Sequence, residues 1–132
     1  MSLFKTHFEV TDQFSMKADA VIACADTTAF TRALPDSFVR LILSSPPYNI
    51  GKAYERQVPI EEYLTEMQPL LVELVRVLAP DGNLCWQVGN HVNDGEIFPL
   101  DMFFYHRFKA LGLQLRNRIV WHFDHGLHAS NN

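Results

Sequence analysis

The sequence predicts an α/β fold built on a mostly parallel sheet, and three observations carry the prediction. Short apolar runs with strand character alternate along the chain with stretches of helical periodicity. The run Val39-Arg40-Leu41-Ile42-Leu43 is almost continuously apolar, as expected of a strand buried on both faces of a parallel sheet. The joints between segments are short and polar, with no internal repeat, low-complexity tract or linker.

Taken in order, residues 20–25 read as a first buried strand and residues 27–34 as a short helix that ends at Pro35. Residues 39–44 form the next strand. Between residues 61 and 78, Leu64, Met67, Leu71, Leu74, Val75 and Leu78 recur at three- and four-residue spacing, which makes one apolar helical face for packing on the sheet. Pro69 falls inside this segment. An interior proline costs about 3 kcal/mol, so a kink or two abutting helices are expected there. The turn Pro80-Asp81-Gly82-Asn83 stops the helix, residues 84–88 form a further strand, and Gly89-Asn90 ends it. If the connections are parallel and right-handed, that end lies on the same sheet edge as the end of strand 39–44. A helix over residues 99–111 is closed by Gly112. Leu113, Leu115, Ile119, Trp121 and Phe123 then alternate with polar residues apart from a gap at Asn117, which predicts a half-exposed antiparallel strand at one edge.

Composition sets the bounds. A chain of 132 residues is one domain's worth and can bury a real core. It shows no signal-peptide pattern and no apolar run long enough to span a bilayer, so a cytoplasmic location without membrane partners is expected. Cys24 and Cys85 both fall in apolar strand-like runs and read as core thiols without a disulfide. A net charge of −4 and a pI near 5.8 predict weak affinity of this chain alone for a polyanion. Basic residues gather locally at Lys52 and Arg56, and again at Arg107, Lys109, Arg116 and Arg118, where a solvated helix and strand face explains them as well as a phosphate contact does.

The segment that carries chemistry is Ser45-Pro46-Pro47-Tyr48, directly after strand 39–44. Two consecutive prolines remove two N–H donors and fix two φ angles, leaving a stiff arch whose free polar atoms are mainly carbonyl oxygens. With the Ser45 hydroxyl as a further acceptor and the Tyr48 ring as a stacking surface, the arch suits a planar heterocycle with an exocyclic NH2. A Ser/Asp/Asn-Pro-Pro-aromatic tetrapeptide arises by chance in under about one per cent of chains of this length, which weighs against a plain proline turn.

In these residues, Leu41-Ile42-Leu43-Ser44-Ser45-Pro46-Pro47-Tyr48-Asn49, the sequence resembles the DNA amino-methyltransferases, whose signature is Asp/Asn/Ser-Pro-Pro-Tyr/Phe after a strand. The resemblance implies a Rossmann-like, S-adenosylmethionine-dependent methyltransferase sheet, mostly parallel with an antiparallel edge strand. It implies catalytic roles for Ser45, Pro46, Pro47 and Tyr48, donor-site roles for Asp26 and Ser44, DNA contacts for Lys52 and Arg56, and no metal. Acceptance of both amino N–H bonds, by the Ser45 hydroxyl and the Pro46 carbonyl, would favour a pyramidal nitrogen whose lone pair faces the methyl donor. The base would be flipped from the duplex onto Tyr48. Serine in the first position is commoner among cytosine-N4 enzymes of this kind, and a hydroxyl leaves adenine N6 open as well. Asp26 reads equally as a cap for the helix that starts at Thr27-Thr28. His122, His125 and His128 recur at every third residue, but they lack nearby cysteine or carboxylate at ligand spacing and read as exposed polar residues.

The family's glycine-rich donor loop, Phe-x-Gly-x-Gly, has no counterpart in this sequence, which contains no Gly-x-Gly and no glycine before Gly51. The order fits the front portion of the circularly permuted, β-class-like members, in which the proline motif precedes a target-recognition region and the loop. Residues 1–132 are thus expected to be a single domain, the catalytic portion of an incomplete fold. A fragment, one half of a split enzyme that a second chain or a second copy completes, and a base-binding remnant without activity are the three forms this allows.

Overall fold

The structure, a computed structural model, describes residues 7–122. Nine elements follow among them in the order β1 (Val10–Thr11), β2 (Ala20–Val21), α1 (Thr27–Arg32), β3 (Val39–Ser44), α2 (Ile60–Val77), β4 (Leu78–Trp86), β5 (Asn90–Asn93), β6 (Glu96–Pro99) and α3 (Leu100–Ala110). The architecture is α/β with parallel pairing in two of three small sheets: β1 with β2 and β3 with β4 are parallel, and β5 with β6 is antiparallel.

The centre of the molecule is the β3–β4 pair with α2 and α3 packed beside it. In its regular part Leu41, Ile42, Leu43 and Ser44 stand opposite Asn83, Leu84, Cys85 and Trp86. Partners in a parallel ladder share a face, so Ile42, Ser44, Leu84 and Trp86 form one side and Leu41, Leu43, Asn83 and Cys85 the other. The first side meets the core of Val58, Tyr63, Leu64, Leu71, Leu100, Phe104 and Phe108, where Leu84 and Trp86 pack. Trp86 makes edge contacts with Phe104 at 5.3 Å and Phe108 at 5.5 Å, and Tyr63 meets Phe104 at 6.0 Å. The second side is bare, with Leu41 61% and Leu43 76% exposed. Cys85 and Cys24 are exposed as well, so the expected core thiols lie at the surface. Periodicity recognises an apolar strand but does not say whether both of its faces are covered.

Helix α2 is one continuous helix through Pro69, not two abutting ones. Leu64 before the proline and Leu71 after it are buried in the same core, and Leu74 and Val77 further on are buried as well, so both halves of the helix are anchored by packing. Glu61 and Glu62 in its first turn and Arg76 in its last complement the helix dipole. Arg76 also ties the helix to the α1–β3 connection: it donates to the carbonyls of Leu34 and Thr31, both at 3.0 Å, and pairs with Asp36 and Glu73. The Pro80-Asp81-Gly82 turn sits within β4 as a bulge, since Val39 faces Leu78 while Leu41 faces Asn83. A Cβ on Gly82 would fall 2.9 Å from the carbonyl oxygens of Ala79 and Val39, so only glycine fits.

Helix α3 ends as the sequence predicts. Gly112 takes φ +92°, its N–H bonds the Lys109 carbonyl at 3.1 Å, and Leu113 N–H bonds Phe108 at 3.0 Å, a Schellman closure that returns Leu113 to the core. Three expectations are corrected. The strand expected over residues 20–25 is paired only at Ala20–Val21, with Ile22 74% exposed, because its partner among the described residues is the two-residue β1. No single sheet joins the strands among the described residues; β2 and β3 belong to separate pairs. Residues 113–122 form no strand among the described residues, and Arg118 within them is tied to Asp101 of α3 instead; Phe123, His125 and His128 lie outside those residues. The hairpin β5–β6 was not foreseen, although Asp94-Gly95, at φ +50° and +78°, is the Asp-Gly signal of a two-residue turn.

No helix among the described residues is long and apolar enough to cross a membrane.

Candidate active site

The arch leaves β3 at its carboxyl end, where Gln87 N–H bonds the Ser44 carbonyl at 2.9 Å. Ser45 is exposed, Pro46 buried, and Tyr48 half-buried. The hydroxyls of Ser45 and Tyr48 share a hydrogen bond of 2.8 Å, so the four motif residues fold into one compact feature. Beneath the Tyr48 ring lies Gly89, where an added Cβ would sit 3.2 Å from Cδ2. Any larger residue there would push the ring outward.

A network behind the arch fixes its backbone. Tyr63 donates its hydroxyl to the Pro47 carbonyl at 2.6 Å. Burial above all, with the Glu55 carboxylate and Tyr48 adding, pushes the Tyr63 phenol well above its usual pKa, so it stays a donor. Asn49, 1% exposed and at φ +59°, donates from Nδ2 to the Val58 carbonyl at 2.7 Å and accepts from Val58 N–H at 2.8 Å. Asparagine tolerates this left-handed backbone better than most side chains do. The Glu55 carboxylate accepts from the N–H groups of Asn49 at 2.7 Å and Ile50 at 3.0 Å. His91 Nδ1 lies 2.7 Å from the Asn49 carbonyl, and because a carbonyl only accepts, Nδ1 carries the proton. The Pro47 and Asn49 carbonyls are thereby occupied, whereas the Pro46 carbonyl has no donor among the described residues.

The other predicted site residues are placed less uniformly. Ser44 is half-buried beside Trp86, whose Nε1–H is a buried side-chain donor without a partner among the described residues. Lys52 is exposed on the loop after the arch. Arg56 is engaged with Glu62 at 2.8 Å and Glu66 at 3.2 Å. Asp26 caps α1, its Oδ1 accepting from Ala29 N–H at 2.8 Å. Its neighbours Ala25 and Thr27, with Val21, Ile22, Ala23 and Phe30, line an open concavity of about 350 Å³. Among the described residues no cluster of His, Cys, Asp or Glu could hold a metal ion.

Asn49, Glu55, Tyr63 and His91 did not stand out in the sequence, since each acts through a contact formed only on folding. Asn-Ile-Gly after the arch was the one local hint of a left-handed turn.

The family model described as DNA methylase matches residues 39–132, from the start of β3 through the arch and onward. The chain belongs to the DNA methylase family. Among similar proteins, the type II methyltransferase M.BglII of Bacillus subtilis is 46% identical over 106 residues, 80% of this chain and 29% of its own length. The type II methyltransferase M.MjaVI of Methanocaldococcus jannaschii is 32% identical over 91 residues, 67% of this chain and 47% of its own. Among solved structures, TTHA0409 of Thermus thermophilus, assigned as a DNA modification methylase, matches with a TM-score of 0.55 at 30% identity, covering 67% of this chain and 38% of that one. Its complex with S-adenosyl-L-methionine matches with a TM-score of 0.54. The chain therefore spans less than half the length of these DNA methylase relatives.

Proposed function

We propose that residues 1–132 form a single domain that carries the amino-acceptor side of an S-adenosylmethionine-dependent DNA methyltransferase, acting on cytosine N4 in preference to adenine N6. The observation that carries this reading is the arch itself, whose Pro47 and Asn49 carbonyls are bonded from behind while the Pro46 carbonyl has no donor among the described residues and the exposed Ser45 hydroxyl, bonded to the Tyr48 hydroxyl, keeps a lone pair for a ligand. Both accept hydrogen bonds, which matches the two N–H groups of an exocyclic amine.

A flipped base enters with its amino group between Ser45 Oγ and the Pro46 carbonyl. Tyr48 stacks on its face, and Gly89 gives the ring room to lie flat. Accepting both N–H bonds draws the nitrogen toward a pyramidal shape and concentrates its lone pair on the side left open, so the protein contributes preorganised dipoles and no covalent intermediate. After transfer, the surplus amine proton leaves to water.

One end of the methyl donor has a candidate place on this chain, next to Asp26, whose Oδ1 also caps α1. The concavity beside Asp26, about 350 Å³ and mainly apolar in its lining, lies at the lower end of the roughly 300–1,000 Å³ of small-molecule sites. Asp26 would hold the adenosine end and Ser44 would lie along the donor beside the arch. When bound, S-adenosylmethionine supplies a methyl group on a sulfonium centre. Lys52 would meet the DNA backbone first, because Arg56 must leave Glu62 and Glu66 to do so. The remaining strands of a Rossmann-like sheet, the glycine-rich loop and target recognition would come from a further segment, a second chain or a second copy.

The test is tritiated methyl transfer to mixed-sequence DNA by the completed enzyme carrying Tyr48→Ala or Pro46→Ala. Each is expected to lower transfer by roughly 100-fold or more. Near-normal turnover in either variant contradicts the assignment.

A further inference from the structure

We propose that His91 is a positioning residue for the base site, acting through the Asn49 carbonyl. This role rests on the reading of the arch as an amino-group acceptor. His91 stands on β5, is 2% exposed, and is opposite Phe98 in the hairpin. Its ring packs 5.6 Å from that of Phe98, which in turn lies 6.4 Å from Phe103 of α3, so the hairpin is anchored to the helical layer on one side. On the other side it holds the arch: Nδ1–H bonds Asn49 at 2.7 Å.

Glu55 holds the N–H of Asn49 and His91 holds its carbonyl, and together these fix φ and ψ at that residue. The direction in which the chain enters Asn49 sets where the Tyr48 Cα lies and how its ring projects. The same short segment, residues 89–91, meets the ring itself through Gly89. The stacking surface is thus held at its face and at its backbone from one strand end. An apolar side chain could fill the space of His91 but could not hold the carbonyl. Misplacement of a reacting group by about 1 Å can cost 100-fold in rate, so a directional bond here bears on turnover more than on affinity.

The experiment compares His91→Leu and His91→Asn in the full chain, each checked for a cooperative melt. The side-chain amide nitrogen of asparagine takes the place of Nδ1 and can still donate. In His91→Leu the amide resonances of Tyr48, Asn49 and Ile50 are expected to shift, and methyl transfer is expected to fall roughly tenfold or more in kcat with KM for DNA within about twofold. His91→Asn is expected to restore both. Unmoved arch resonances in His91→Leu, or equal loss in the two variants, would overturn the role. Methyl transfer is read in the completed enzyme, where absence of transfer by the wild type counts against the functional reading alone, and the resonance comparison on this chain still decides the role of His91.

Discussion

The loop that follows β3 and the segment that precedes α1 are both irregular and lie at the surface, yet they are held very differently. From Ser45 to Val58 the backbone is fixed by Tyr63, Glu55, His91 and the paired bonds between Asn49 and Val58, all backed by the aromatic core. From His7 to Asp26 the contacts include two residue pairs between β1 and β2, a few turn bonds, the bond of Asp19 with Glu9 N–H and the edge contact of Phe14 with Phe38, and Phe8, Val10, Met16 and Ile22 are largely exposed. The difference teaches where the chemistry is prepared. Electrostatic catalysis depends on dipoles that are in place before the substrate arrives, and under the proposed function this chain would build them on the base side. On the proposed donor side it would contribute a carboxylate and a shallow concavity.

The largest expected effect comes from the core that supports the arch. Leu71 is fully buried in α2, and Leu71→Ala should cost about 2–5 kcal/mol, read as a lower urea midpoint. If the arch depends on this core, its amide resonances and the global signal should be lost together; separate transitions would break the comparison.

Next in size is Asn49→Ala, which strips the backbone N–H and carbonyl of Val58 of their partners and places alanine at φ +59°. Leaving buried backbone groups unpaired costs about 1–3 kcal/mol each, so chemical denaturation should show a clear loss. Asp26→Ala should cost about 1 kcal/mol as a lost helix cap and should weaken S-adenosylmethionine binding in the completed enzyme beyond that. Calorimetric titration separates the two roles, since unchanged donor affinity would leave Asp26 as a cap alone. Smallest is Leu43→Ser on the bare sheet face, which should change the stability of the isolated chain by no more than about 0.5 kcal/mol. A large loss would mean that the face is covered in solution.

The sequence made the central elements legible for a physical reason. The spacing of Leu64, Leu71 and Leu74 is set by helix geometry, and the apolar run at 39–44 ends where two prolines prevent its continuation, so α2 and β3 fall close to where they are expected. The glycine stop at Gly112 is equally local. What local pattern could not supply was context. Leu41, Leu43 and Cys85 have the composition of a buried strand while their face is bare, and residues 113–122 alternate yet form no strand among the described residues. The Ser45–Tyr48 motif was legible from its residue types, two prolines and a tyrosine at the end of a strand. The clamp behind it was not, because His91 reaches Asn49 across 42 residues.

Hydrogen exchange followed amide by amide tests the central claim most directly. The amides of Asn49 and Val58, bonded to Glu55 and to the Asn49 side chain, are expected to exchange as slowly as those of α2 around Leu71, while the amides between Phe8 and Ala25 exchange orders of magnitude faster. Exchange at Asn49 and Val58 as fast as in the amino-terminal segment would contradict it, because the arch would then not be prepared before the base arrives.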